Sequence, residues 1–230
     1  MRNLAIITAR SGSKGIKDKN IRPINDKPML AYSIDAARKS GSFQKVMVST
    51  DSQKYAEISE QYGAEVPFLR SEETSGDTAG SWDVVTEVLR NYREMGEQFD
   101  TICLLQPTSP LRMASDIIGA YDFYQEKQAD AVTSVCECDH PAEYMMTLED
   151  DRSLGEYRRN EVDLPRQLLP TYYRLNGAIF IRRVEYTEND VKVIADREYA
   201  YIMDRKHSTD IDTIEDFEYA EYLMSRGHDL

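Results

Sequence analysis

Histidine and cysteine are scarce in this chain, three of each in 230 residues, and each scarcity narrows the chemistry. His140, His207 and His228 stand far apart in sequence. Nothing recommends a Ser-His-Asp or Cys-His arrangement, although separation in sequence does not by itself forbid one. Cys103 lies in the apolar run Ile102 to Leu105, and Cys136 with Cys138 closes another strand-like run. Three thiols cannot all pair. The Cys-x-Cys has no second cysteine pair or suitably spaced histidine to complete four ligands, so buried reduced thiols are expected rather than a metal centre. Cations are also in deficit, 28 Lys and Arg against 41 Asp and Glu, for a net charge of −13. A nucleic-acid partner calls for a broad basic face, and none is expected here. There is no apolar run long enough to span a bilayer and no signal-peptide pattern, so neither a membrane partner nor secretion is implied, and a cytoplasmic enzyme or binding protein is expected. Internal repeats and low-complexity tracts are missing too. Residues 1–230 suit a single α/β domain, ample to bury a core.

What is present is an alternation of strand-like and helix-like segments over the first 136 residues, the signature of βαβ units around a mostly parallel sheet. Leu4 to Thr8 reads as the first strand. Pro28 stands at a first helical position, with Met29, Leu30, Ile34 and Ala37 on one face and Gly41 as the stop. Lys45 to Thr50 is a second strand, Asp51 or Ser52 caps a helix carrying Tyr55, Ile58 and Tyr62, and Gly63 ends it. Ala64 to Leu69 reads as a short third strand. Ser81 is the expected cap of a helix bearing Trp82, Val85, Leu89 and Tyr92, with Trp82 in the core. Thr101 to Leu105 is a continuous apolar strand of the kind buried in parallel sheets. Met113 to Glu126 follows as a helix and Ala131 to Cys136 as a strand. Regularity then fails over 139–175, where Pro141, Pro165 and Pro170 forbid a long helix, while Tyr144, Met145, Met146 and Leu148 are too apolar for a disordered linker. An ordered inserted arm or subunit contact is expected. The strand Ala178 to Ile181 resumes the pattern, and Thr213 with Asp216 opens a last helix with Ile214, Phe217, Ala220 and Leu223 on one face.

The chemistry concentrates after the first strand. Arg10, Lys14, Lys17, Lys19 and Arg22 face one acid, Asp18, in a segment that also holds Ser11, Gly12, Ser13 and Gly15. Small residues let backbone N–H groups converge on an anion. A basic island in an acidic chain, at the carboxyl end of a first strand, fits an anionic ligand better than a solvated turn. The segment is not a phosphate loop of the Gly-x4-Gly-Lys-Ser/Thr type and not a dinucleotide fingerprint, which would carry a further glycine. Five cations suit a triphosphate, whose charge rises as pyrophosphate leaves.

At the other end of the chain stand Asp204, Asp210, Asp212 and Asp216. In an extended segment Asp210 and Asp212 point to one side, half a site for Mg²⁺ whose other ligands are phosphate oxygens and water. A plain Asp-x-Asp is also a common surface feature, and the helix cap that follows is what marks this one as a strand-to-helix corner. Gln106-Pro107-Thr108-Ser109-Pro110-Leu111-Arg112 follows the buried strand and offers hydrogen-bonding side chains on a stiff turn, or simply a helix entry. Arg166-Gln167 and Arg174-Leu175-Asn176-Gly177 form a second cationic group that suits a carboxylate or else pairs with the arm's own acids.

Taken together, Ala9 to Gly15 with Lys19-Asn20, Leu105 to Arg112, Arg166-Gln167, Asn176 to Ile179 and Asp210 to Thr213 resemble the acylneuraminate cytidylyltransferases, the CMP-sialic acid synthetase family. The resemblance implies a Rossmann-like nucleotidyltransferase fold and a homodimer built through the inserted segment 139–175. It implies a reaction in which CTP and a nine-carbon α-keto sugar acid, a nonulosonic acid, give a CMP-sugar and pyrophosphate. By motif it places Arg10, Ser13, Lys14, Lys19 and Asn20 in the nucleotide loop. Arg70 and Ser81 fall in a nucleotide-contacting stretch that includes Asp77-Thr78-Ala79, Gln106 and Arg166 on the sugar acid, and Asp210 with Asp212 on Mg²⁺. Arg10, Lys19, Asp210 and Asp212 would be catalytic.

Three positions depart from the pattern: Thr8 precedes Ala9 where the family has proline, Ala142-Glu143 stands where a lysine is common, and Lys192-Val193-Ile194 replaces an aromatic pair. These leave legionaminic, pseudaminic or another α-keto sugar acid open beside sialic acid. The same chemistry on an eight-carbon keto acid such as Kdo is an alternative. A non-catalytic nucleotide or sugar sensor on the same fold is another.

Overall fold

The computed structural model describes residues 1–12, 15–76, 79–155, 157 and 165–226. Ser13, Lys14, Asp77, Thr78 and His228 lie outside the described residues, as do the side chains of 166 and of 158–164. In chain order the strands are β1 (Asn3–Thr8), β2 (Pro23–Ile24), β3 (Lys27–Pro28), β4 (Lys45–Ser49), β5 (Thr101–Leu105), β6 (Ala131–Glu137), β7 (Tyr173–Tyr186), β8 (Val191–Ile194) and β9 (Glu198–Ile202). The helices are α1 (Met29–Ser40), α2 (Gln53–Gln61), α3 (Glu72–Ser75), α4 (Ser81–Glu94), α5 (Ala114–Glu126) and α6 (Ile214–Ser225).

A seven-stranded sheet runs β4-β1-β5-β7-β6-β9, with β8 paired to β7. β1 is parallel to β4 and β5, and β6 to β9, whereas β7 is antiparallel to β5, β6 and β8. Every strand of this sheet except β7 therefore points the same way, and β7 wedges between β5 and β6. The expected mostly parallel α/β sheet is present with one reversed strand in its middle. Because β1 and β5 are covered on both faces, they are apolar without a break over Leu4–Ile7 and Ile102–Leu105. Ala5, Ile7, Cys103 and Leu105 meet Leu30, Ile34, Ile117 and Tyr121 of α1 and α5 on one face. Leu4, Ile6, Ile102 and Leu104 meet Val85, Leu89 and Tyr92 of α4 on the other. A third cluster packs Phe217 and Ala220 of α6 against Ile16, Ile24, Met29, Leu111 and Ile211, binding the last helix to the loop after β1.

Several boundaries differ from the sequence reading. Residues 64–69 form no strand; Glu65 makes only a single parallel bridge to Met47, because the chain peels away towards Arg70, whose N–H bonds Thr50. Gly80 rather than Ser81 is the α4 N-cap, and the Asp83 carboxylate accepts from the Gly80 N–H. Trp82 is 38% exposed, edge-on to Phe180 and under the Arg182 guanidinium, and is not in the core. Pro28 precedes α1 instead of opening it, and Gly41 ends it in the left-handed region. Thr213 and Asp216 make the expected capping box, but Met224 rather than Ile214 completes the buried face of α6. The short strand expected at 178–181 is the centre of the fourteen-residue β7. Cys103 and Cys136 are buried and all three thiols are free. Among the described residues no helix is long and apolar enough to cross a membrane.

Candidate active site

β1, β4 and β5 end on the same side of the sheet, and a cavity of about 570 Å³ opens there. Its wall includes Thr8, Arg10, Gly15, Lys19 and Asn20 from the first strand and its loop, Arg70, Thr74 and Ser81 from the α3–α4 region, Gln106 and Thr108 after β5, and Asp210 and Asp212. Eight residues singled out from the sequence, Arg10, Lys19, Asn20, Arg70, Ser81, Gln106, Asp210 and Asp212, thus share one cavity although they span 203 positions of the chain. Arg166 opens a 3-10 turn, Arg166–Leu168, in the arm.

The loop after β1 is pinned from several directions. Asn20 is buried and its side-chain amide donates to the Arg10 carbonyl at 3.0 Å, closing the loop on itself. Lys19 Nζ donates to the Ile211 carbonyl at 2.7 Å and to Asp212 Oδ1 at 3.2 Å, tying it to the corner before α6. Gly15 passes so close that a Cβ there would stand 3.1 Å from the Asp212 carbonyl oxygen. On the other wall Arg70 donates through Nε and its guanidinium to Ser49 Oγ (3.1 Å) and the Ser49 carbonyl (2.7 Å). Burial, countered by Asp51 and Glu87, pushes the Arg70 pKa down.

The carboxylate corner is built by β-type pairing of the Ile211 N–H with the Thr108 carbonyl, 2.9 Å, which holds 210–212 against the turn after β5. Ile211 is buried in the α6 cluster, so its neighbours Asp210 and Asp212 both turn to the cavity. Asp210 is half-buried. Burial pushes its carboxyl above the usual range, a hydrogen bond from Thr108 opposes this, the nearby Asp212 charge adds to the rise, and Lys19 and Arg174 oppose it. Its Oδ1 is buried without a hydrogen-bond partner. An unsatisfied buried carboxylate oxygen beside an exposed second carboxylate is a donor set that fits a hard divalent cation such as Mg²⁺. Among the described residues no cluster of three or more His, Cys, Asp or Glu exists to complete such a site, so its remaining ligands would come from substrate and water. Asp204 and Asp216 have other tasks. Asp204 caps the 3-10 turn Arg205–His207, and Asp216 caps α6.

The Asn176-Gly177 element acts differently from the sequence reading. β7 shifts register between Thr133 and Val135 of β6, so that 176–179 bulge opposite Ser134. Ser134 Oγ bonds Asn176 Oδ1 at 2.6 Å and accepts from the Ile179 N–H at 2.8 Å. Asn176 is buried and donates to Ser208 Oγ, so it holds the bulge and presents nothing to a ligand. The bulge puts Gly177 at φ 72°, where a Cβ would lie 2.5 Å from Gln106 Oε1 and 3.6 Å from Asp210 Oδ2. Its Cα hydrogen therefore faces two side chains of the cavity wall. Arg112 is buried too, with 2% of its surface exposed. It donates to the carbonyls of Gln106 and Ala178 and to Ser33 Oγ, and burial lowers its pKa to about 10. It is a brace under the Gln106 turn, missed by a sequence reading that expects arginine at the surface.

Residues 4–227 match the profile of the family described as Cytidylyltransferase. The chain is 39% identical over 231 residues to an N-acylneuraminate cytidylyltransferase of Escherichia coli O18:K1:H7, with 97% of this chain but 52% of that protein covered. It therefore spans about half the length of that relative. It is 32% identical over 228 residues to the CMP-N,N'-diacetyllegionaminic acid synthase of Legionella pneumophila, with 97% of each covered. Among solved structures the fold is similar to a CMP:2-keto-3-deoxy-manno-octonic acid synthetase complexed with CTP, TM-score 0.68 at 16% identity, covering 98% of this chain and 99% of that one.

Proposed function

The chain belongs to the cytidylyltransferase family, and from that premise we propose that it transfers CMP from CTP to the anomeric hydroxyl of a nine-carbon α-keto sugar acid, releasing pyrophosphate. One observation carries this reading: Arg10, Lys19 and Arg70 share a single cavity at the strand ends with Asp210 and Asp212. The cations suit a triphosphate, and the paired carboxylates suit the metal ion that accompanies it.

Arg10, Lys19 and Arg70 bind the phosphate chain, and Asn20 holds the loop on which two of them stand. Lys19 is already paired with Asp212, so the two charges neutralise each other until a nucleotide arrives. Phosphate oxygens then compete with Asp212 for the ammonium, which frees the carboxylate. Gln106, whose carbonyl is held by Arg112 and whose side chain lies over Gly177, orients the sugar acid from the turn after β5. Ser81 contacts the nucleotide, and the sequence resemblance adds Ser13 and Lys14 to that side and Arg166 to the sugar's carboxylate. The anomeric oxygen forms a bond to the α-phosphorus as the bond to the pyrophosphate oxygen breaks, and the hydroxyl proton is lost to solvent. Arg10 and Lys19 stabilise the charge that builds on the leaving pyrophosphate. Asp210 and Asp212 would hold Mg²⁺, which when bound would supply charge neutralisation at the phosphates.

The partner expected from the sequence is a second copy of the chain. Tyr144, Met145, Met146 and Leu148 on the arm, with Tyr173 and Leu175 at the start of β7, are exposed and apolar, which supports a homodimer closed over this segment. Light scattering on the purified protein tests it; a monomer at micromolar concentration rejects it.

The test of the activity is pyrophosphate release from CTP with Mg²⁺ against N-acetylneuraminic, legionaminic, pseudaminic and Kdo acids. Turnover with a nonulosonic acid supports the reading. Turnover with Kdo alone moves it to the eight-carbon branch, and CTP binding with no turnover on any acid moves it to a sensor.

A further inference from the structure

The corner where β4 enters α2 lies outside the cavity wall, yet it grips the nucleotide loop twice. Asp51 accepts two hydrogen bonds from Ser11, from its N–H at 2.8 Å and from its hydroxyl at 2.8 Å. Four residues on, one helical turn later, the Tyr55 hydroxyl donates to Asp18 Oδ1 at 3.2 Å. Ser11 stands immediately after Arg10, and Asp18 immediately before Lys19. The two anchors therefore bracket the glycine-bearing span and fix the two residues that flank it.

The geometry at each anchor is one that needs holding. Asp18 sits at φ 53°, in the left-handed region that few residues with a side chain adopt, and it opens the 3-10 turn Lys19–Ile21 that carries Lys19 and Asn20. Tyr55 is 1% exposed, so its ring is fixed in the core and its hydroxyl position is set by packing. The same corner also sets Arg70: the Ser49 carbonyl accepts from both the Ala9 N–H at 2.9 Å and the Arg70 guanidinium at 2.7 Å, and Thr50 accepts from the Arg70 N–H. Ser49, Thr50, Asp51 and Tyr55 thus reference all three candidate phosphate cations to one rigid junction.

We propose that Asp51 and Tyr55 are positioning residues, which hold the loop between β1 and the Lys19 turn so that Arg10 and Lys19 converge on one phosphate chain. The proposal rests on the nucleotide reading above and adds to it two side chains that touch no substrate. An exposed loop held at one end only would have to be ordered by the ligand, and the cost would appear as weaker binding.

The experiment is calorimetric titration of CTP, with steady-state kinetics, on wild type, Asp51→Ala, Asp51→Asn and Tyr55→Phe. We expect CTP affinity and the KM for CTP to weaken about tenfold in Asp51→Ala and severalfold in Tyr55→Phe, the scale of a lost anchor rather than a lost catalytic group. Asp51→Asn, which keeps an acceptor for the Ser11 N–H, should recover most of the loss. The KM for the sugar acid should stay within twofold of wild type in all three. Tyr55→Phe removes one oxygen from a buried ring and keeps the test valid if Asp51→Ala does not fold. CTP binding equal to wild type in a folded Tyr55→Phe and Asp51→Ala overturns the proposal, as does an equal rise in both KM values with a lowered melting temperature. If wild-type protein itself does not bind CTP, the nucleotide reading fails first, and the clamp's role in it falls with it.

Discussion

The Lys19 ammonium lies 2.7 Å from the Ile211 carbonyl oxygen and 3.2 Å from Asp212 Oδ1, joining the first loop of the chain to its last strand-to-helix corner. Cation and carboxylate face the same cavity. In the free protein each is the other's counter-ion, so the site is assembled before any ligand enters.

Removing one of these charges should be felt mainly in turnover. Arg10→Ala and Asp210→Asn are each expected to lower kcat by at least ~100-fold, the scale of losing one preorganised charge partner. Lys19→Met should do the same and also leave Asp212 unpaired. A variant within threefold of wild type takes its residue out of the mechanism.

Divalent cation dependence follows from the orphaned Asp210 Oδ1. Chelation should abolish pyrophosphate release and added Mg²⁺ restore it. Asp212→Asn should raise the Mg²⁺ concentration for half-maximal rate by about tenfold, the effect of one hard carboxylate ligand. Activity that persists in excess chelator contradicts this.

Gly177→Ala tests the bulge. Alanine at φ 72° is strained whatever the space, at about 1–3 kcal/mol, and its methyl would displace Gln106. The melting temperature should fall, and the KM for the sugar acid should rise more than that for CTP. If both KM values stay unchanged, Gln106 does not orient the sugar.

Acid stability should depend on Asp130, which bridges Arg197 and Arg183 at 2.9 and 2.8 Å. Hydrogen bonds from these arginines, Arg197 first, hold its carboxyl at about 2 instead of 3.8. Below the ordinary value the unfolded chain takes up the proton and the folded chain does not. The stabilisation is therefore complete above pH 3.8 and is lost as pH falls towards 2. Asp130→Asn should be less stable than wild type at pH 7, with the difference closing between pH 4 and 2. A difference that stays constant across that range excludes the ion pairs as its source.

Much of this was readable in the chain because periodicity reports burial. β1 and β5 carry unbroken apolar runs, Leu4–Ile7 and Ile102–Leu105, since both faces are covered, and α1 and α4 show the one-sided pattern of helices laid on a sheet. The cavity's charged wall was readable for a different reason: a basic loop and an Asp-x-Asp stand out in composition. What the sequence hid depends on distant contacts. Residues 64–69 have the composition of a strand but find only one bridging partner. Trp82 is apolar enough for the core yet lies over Phe180 and beneath Arg182 at the surface. Asp51 reads as a helix cap, but its carboxylate is used by Ser11, forty residues earlier. Arg112 and Asn176 are buried braces, which sequence alone does not show because the carbonyls and hydroxyls they satisfy come from elements far away in sequence. Ser81 was placed at a cap and stands one residue inside the helix, which leaves it at the cavity.

The reversed strand β7 has a consequence for how the chain comes to be folded. β6 pairs with β7 and β9, both later in the chain, and never with β5. A nascent chain that has reached Glu137 can complete the β4-β1-β5 half but has no neighbour for β6, whose apolar residues must wait for some forty more to be made. During synthesis one half of the sheet can form early, and the other half only after β7 has been made. The last step on the growing chain should accordingly be the insertion of β7, which joins β5 to β6 and also brings Gly177 to Gln106, so that the Gln106 side of the cavity is the last part to acquire its shape.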